Sequence, residues 1–320
     1  MITIRRVLLS SLIRDSQWWR HVFRAAVEFA PRCIPCAMAM AIANILFILT
    51  TAVAEAQLAK LKAPGLLDSA ASADILQPLV YSLGCFLVMI VSLLISLAAL
   101  SDWLVKLTAF SRILIRFNDQ WSQSEAIDWK AEISSALKET KNRGWYLMKL
   151  WLVASAILLV PSIPMCMLIS FKVLAAEPMM LDGIKAFGLD AWITDPRLQA
   201  TVSICAFVLT VIVLLYSLVT IAFSAVSELS PLSTALAAFR QSLRHLGPLL
   251  IITTAIIVVN TLVTAPQSLL ALVGVKSIAD SCVGQVCAQI WFAASSLVIW
   301  PLSMAPYCRL TSLVDARGDS

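Results

Sequence analysis

Six stretches of this sequence are apolar and almost free of charge, at about residues 34–54, 79–101, 146–171, 201–226, 249–272 and 286–308. Each comes close to or exceeds the ~20 residues that a helix needs to cross a bilayer. Backbone exposed to lipid must satisfy its own hydrogen bonds, which leaves helices or a closed barrel. Barrel strands alternate in polarity over about ten residues, whereas these runs are continuous. The expected fold class is therefore all-α, a polytopic membrane protein with six transmembrane helices. Composition agrees: 60% of residues are hydrophobic and 13% charged, where a soluble domain carries about 25% charged residues. Mean hydropathy is +0.88. No polar stretch is long enough to build a core alone, so residues 1–320 are expected to form a single integral membrane domain. The apolar run after Arg5 and Arg6 is ended by Arg14 and Asp15, too early for a cleavable signal.

The polar segments between the runs carry a second pattern. Ser230-Pro231 reads as a helix start, with Ser as N-cap and Pro at the first helical position. Leu232, Leu236, Phe239, Leu243 and Leu246 follow at helical spacing on one face, with Arg240, Gln241, Arg244 and His245 off that stripe. Gly247-Pro248 is a break signal, and an uncharged run follows from Leu249. The pattern predicts a helix lying in the membrane interface, a bend, and then a span. Residues 2–29 read similarly, with Ile4, Leu8, Leu12, Trp19, Phe23 and Val27 on the stripe and a bend at Pro31 and Pro35. Residues 118–144 hold a third such helix. Ser122 and Glu125 form its capping box, Ala126, Trp129, Ile133, Ala136, Leu137 and Thr140 form one face, and Gly144 stops it. The expected architecture is a threefold internal repeat of interfacial helix, span, loop and span, with units at about 2–115, 118–228 and 230–315.

Charge orients the chain. Eighteen of the 24 Lys and Arg residues fall on the side that holds both termini and all three amphipathic helices, and six fall on the other. The positive-inside rule places that richer side in the cytoplasm. The expected location is the bacterial inner (plasma) membrane, multi-pass, with both termini cytoplasmic. So basic an inner face suits anionic headgroups, and Arg240 and Arg244 are the candidate lipid- or partner-facing residues. Charge that serves topology alone is the competing reading.

Candidates for chemistry are few. Cys33-Ile34-Pro35-Cys36 has the C-x-x-C spacing of redox and zinc sites, but the chain offers His21 and His245 as its only histidines, too few evident partners for a four-ligand site. Packing is the expected role of this pair, since a free Cys behaves as a small hydrophobe. Cys282 and Cys287 flank a short stretch in an outward loop at 274–285, where an oxidising compartment would permit a disulfide; two unpaired thiols are the alternative. Asn44, Asn260 and Gln267 are the notable intramembrane polar residues, expected as hydrogen-bonding glue between helices more than as a polar path. No charged residue falls near the middle of a span, which argues against ion-coupled transport. Nucleophile-elbow, zincin and P-loop motifs are absent. No catalytic residue, metal, cofactor or nucleic-acid partner is expected.

Ser230 to His245, the break at Gly247-Pro248, the pair Trp300-Pro301, Tyr307, and the closing Leu313-Val314-Asp315-Ala316-Arg317 resemble two related groups. One is the YciC-like six-helix bacterial inner-membrane proteins; the other is the membrane domain attached to glycerophosphodiester phosphodiesterases. The resemblance implies repeated amphipathic-plus-spanning units. It transfers no functional residue, because the chain has no phosphodiesterase domain. The function expected is non-catalytic: a scaffold or subunit organising partners or lipids at the inner leaflet. The alternative is a transporter or permease component for a small or lipid-like substrate.

Overall fold

The computed structural model describes residues 16–61, 72–117, 127–175, 196–264 and 282–315. Among the described residues the fold is all-helical, without a strand. The helices are α1 (Ser16–Leu61), α2 (Ser72–Phe117), α3 (Trp129–Thr140), α4 (Gly144–Ala175), α5 (Pro196–Val226), α6 (Pro231–Arg244), α7 (Leu246–Thr264) and α8 (Cys282–Asp315), with a 3-10 turn at Lys141–Arg143 between α3 and α4. Four stretches are long and apolar enough to cross a membrane: Ser16–Ala54, Val80–Phe117, Ala200–Val226 and Gly284–Ser312. The bent pair Pro231–Arg244 and Leu246–Leu262 makes a fifth if it counts as one span. The chain is thus a multi-pass membrane protein, all-helical over the described residues.

Two compact units divide the described residues. One comprises Ser16–Gly144 with Val258–Ala305, the other Trp145–Ile257 with the end of the chain from Pro306.

In the first unit α1 and α2 pack along each other and α3 packs on both. Each long helix has 46 residues, about 70 Å at 1.5 Å per residue, more than twice the ~30 Å hydrocarbon thickness. Their surfaces divide accordingly. The part of α2 around Tyr81, Phe86 and Leu94 exposes its apolar side chains, as a lipid-facing helix does, whereas Trp103, Leu107, Phe110, Ile113 and Leu114 are buried. Opposite these, α1 buries Trp18, Val22, Ala25, Ala26 and Phe29 at helical spacing. The Phe29 and Phe110 rings lie 5.1 Å apart.

The helix does not break at Pro31 and Pro35, where the sequence placed a bend; both prolines sit inside α1. Each removes a backbone donor, yet neighbouring helices support a proline-bearing helix in a membrane, and here α2 and α3 pack on it. The expected interfacial stretch before Ser16 lies outside the described residues.

The polar helix α3 begins at Trp129, not at the capping box of Ser122 and Glu125, which lies outside the described residues. Asp128 is its N-cap, accepting from the N–H groups of Lys130 at 3.1 Å and Ala131 at 3.3 Å. Trp129, Ile133, Ala136 and Thr140 form the buried face, as their spacing predicts, and Trp129 meets Phe117 of α2 edge-on at 6.0 Å. Gly144 does not stop a helix but starts α4, where a Cβ would come within 3.4 Å of Ser101 Oγ.

Candidate functional site

The candidate site is α6 and its junction with α7, in the unit built on Trp145–Ile257. Ser230 caps α6 as its sequence predicts, with an extended backbone and a side chain accepting from Ser233 N–H at 3.3 Å. Pro231 follows at a position that needs no donor. The helix ends at Arg244, and the backbone N–H of His245 donates to Gln241 O at 3.1 Å. The break therefore precedes the expected Gly247-Pro248. Both of those residues lie in the first turn of α7, where the missing proline N–H would be unpaired in any case. Across the break the chain turns by 96°.

What α6 buries is the opposite of what an amphipathic stripe suggests. Its inner face consists of Thr234, Ala235, Ala238, Gln241 and Ser242. Small side chains there let α5 approach closely, so that the Tyr216 hydroxyl donates to Ala235 O at 3.0 Å. The Tyr216 ring meets Phe239 edge-on at 5.7 Å. At the start of α6 the Tyr146 hydroxyl of α4 donates to Leu229 O at 3.0 Å, and Thr234 Oγ1 lies 2.9 Å from both that hydroxyl and Ser227 Oγ. The helix is thus held by polar ties at its N-terminal end and by close packing along its length.

The stripe points outward. Leu232, Leu236 and Leu243 are 54%, 42% and 55% exposed, and Leu246 and Leu229 are exposed beside them. Phe239 is half-buried against Tyr216. Arg240 and Arg244 are exposed, and neither pairs with a carboxylate among the described residues. Of the two surroundings the spacing allows for the leucines, acyl chains or neighbouring helices, no helix of the described chain covers them. Helix α3 differs: its apolar face turns inward and its charges outward. Arg112 pairs with Glu139 at 3.0 Å, and Arg116 with Glu139 at 3.3 Å and Glu132 at 3.7 Å. These ties between α2 and α3 are not visible in the sequence, because the partners lie far apart along the chain.

The other candidate residues fall as follows. Asn44 of α1 donates from Nδ2 to Gln289 Oε1 of α8 at 3.2 Å, joining two candidate spans; Gln289 was not singled out by sequence reasoning. Asn260 lies half-buried on α7, and Gln267 lies outside the described residues. The loop expected over 274–285 gives way to helix from Cys282, so Cys282 and Cys287 stand on consecutive turns of α8, and Cys287 is an exposed free thiol. Cys33 and Cys36 are buried on α1. Among the described residues no three His, Cys, Asp or Glu side chains converge as a metal site would require. No protein-family model matches the chain, and neither a curated protein nor a solved structure does.

Proposed function

We propose that this chain is a non-catalytic integral protein of the bacterial inner membrane that organises lipids or partner subunits at the inner leaflet, with anionic headgroups as the lipids it gathers. The observation that carries this reading is the orientation of α6. It leaves α7 at 96°, so if α7 spans the bilayer, α6 lies in the plane of its surface. In that plane the exposed leucines enter the acyl-chain boundary and Arg240 and Arg244 lie at headgroup level. The six-span topology with cytoplasmic termini belongs to the same reading. Helix α4, with 32 residues, supplies the span beyond the four apolar helices and the bent pair. The threefold repeat and the kinship with YciC-like proteins are consistent with this arrangement and rest on the sequence pattern.

The test is the lipid that travels with the protein. Purified in nanodiscs from native membrane, the wild type is expected to be enriched in anionic lipid over the bulk extract, and Arg240→Gln with Arg244→Gln is expected to lose that enrichment. Equal lipid composition in both samples would remove the support for the lipid role. Substrate uptake by the wild type in sealed vesicles would favour the permease.

A further inference from the structure

A group of reactive side chains meets where α1 packs on α2. Cys33 and Cys36 stand one turn apart on α1, and both are buried. Cys36 folds back on that turn, its Sγ donating to Cys33 O at 3.0 Å. From α2, Lys106 Nζ lies 3.6 Å from Cys36 Sγ and 2.5 Å from Asp102 Oδ2. The Lys106 side chain is 12% exposed and that of Asp102 is 49% exposed, so the group reaches the protein surface through the carboxylate.

Packing alone does not call for this arrangement. A cysteine that only fills space needs apolar neighbours, and holding an ammonium away from water is costly. An ammonium against a sulfur is the setting in which a cysteine reacts as its thiolate. The backbone adds a second feature. Side chains three apart on a helix have Cβ atoms about 5–6 Å apart, whereas a disulfide needs roughly 3.5–4.5 Å. The turn must therefore tighten for the sulfurs to join. Pro31 and Pro35 cannot donate to the carbonyls four residues back, so two of the bonds that would resist tightening are missing where the cysteines sit.

We propose that Cys33 and Cys36 form an oxidisable dithiol, in which Cys36 is the attacking thiolate, Lys106 its counter-cation and Cys33 the resolving thiol, with a small disulfide of the glutathione class as oxidant. The Cys36 thiolate attacks one sulfur of the oxidant, breaking its S–S bond; a mixed disulfide forms and the first small thiolate leaves and takes up a proton. Cys33 then loses its proton and attacks the Cys36 sulfur, forming the Cys33–Cys36 bond and releasing the second small thiol. Two cysteine thiols are oxidised and one small disulfide is reduced to two thiols. Oxidation removes the sulfur contact of Lys106 and leaves it with Asp102, so the packing of α1 on α2 senses the redox state. This proposal is independent of the lipid-organising reading.

The full-length protein in detergent is exposed to glutathione disulfide, alkylated and mapped by peptide mass. The peptide carrying Cys33 and Cys36 is expected to lose the mass of two hydrogens and to resist alkylation until reduced. In Cys33→Ser the same treatment is expected to trap Cys36 as a glutathione mixed disulfide. Lys106→Gln is expected to slow wild-type oxidation several-fold. Exposed Cys287 reports that the reagent worked: if it is glutathionylated while Cys33 and Cys36 are recovered as free thiols, the dithiol proposal is overturned. An unchanged rate in Lys106→Gln overturns the role given to that lysine. Should the serine variant fail to fold, the wild-type peptide map decides the matter alone.

Discussion

Ala235 and Ala238 set the position of α6, because their small side chains let Tyr216 reach the helix backbone. Enlarging this face and trimming the opposite one should therefore have unequal effects. Ala238→Leu is expected to destabilise the protein by about 1–3 kcal/mol through overpacking, read as a lower midpoint of thermal unfolding in detergent. Leu236→Ala, on the outer face, is expected to leave that midpoint almost unchanged. The reverse order would mean that α6 packs through its leucines. Tyr216→Phe keeps the ring against Phe239 but removes the hydroxyl, at about 1 kcal/mol. The Asn44–Gln289 bond is a smaller matter: hydrogen bonds between membrane helices average about 0.6 kcal/mol, so Asn44→Leu should lower the midpoint only slightly.

Helices of similar amphipathic pattern have taken opposite roles. In α3, Ile133 and Trp129 face the protein and Glu132 and Glu139 reach α2; in α6, the leucines face away. The difference predicts different sensitivities. Glu139→Gln removes partly exposed ion pairs, which contribute about 0–1 kcal/mol, and should barely change the unfolding midpoint. Arg240→Gln with Arg244→Gln should also leave folding intact but weaken the preference for anionic lipid. At about 1 kcal/mol for each basic residue near an anionic surface, the loss is about thirtyfold. Comparing retention of anionic and zwitterionic lipid by the variant and the wild type checks this. An unchanged preference would reduce these arginines to topological signals. The amphipathic period was legible in both segments. Which face turns inward was not, since it depends on whether a partner helix meets large or small side chains.

Over the whole molecule, the apolar helices and the uneven distribution of Lys and Arg bear on topology together. A reporter fused after Ser320 is expected to read cytoplasmic in intact cells; a periplasmic reading would overturn both the six-span count and the orientation. The lengths of α1 and α2 add a second expectation. At about 70 Å each they exceed the hydrocarbon core, so a water-soluble thiol reagent should label a cysteine placed at exposed Arg24, while one placed at exposed Leu94 should react with a lipid-soluble reagent. Labelling of both by the soluble reagent would mean that neither segment is in lipid.

Hydrocarbon offers the backbone no hydrogen-bonding partner, which leaves helices or a closed barrel, and uncharged runs that are continuous, without the alternation of barrel strands, select helices. Ser230-Pro231 marked the start of α6, and the spacing of Trp129, Ile133, Ala136 and Thr140 marked the inner face of α3. These are local consequences of capping chemistry and helical period, and they can be read from neighbours in the chain. Tertiary packing decided that α1 continues through Pro31 and Pro35, since adjoining helices support what an isolated helix would lose. It also decided that the α6 leucines face outward and that Lys106, seventy residues along the chain, stands against Cys36. No local pattern encodes such meetings. They follow from the close approach of helices at small side chains, a property of pairs of surfaces that neither segment carries by itself.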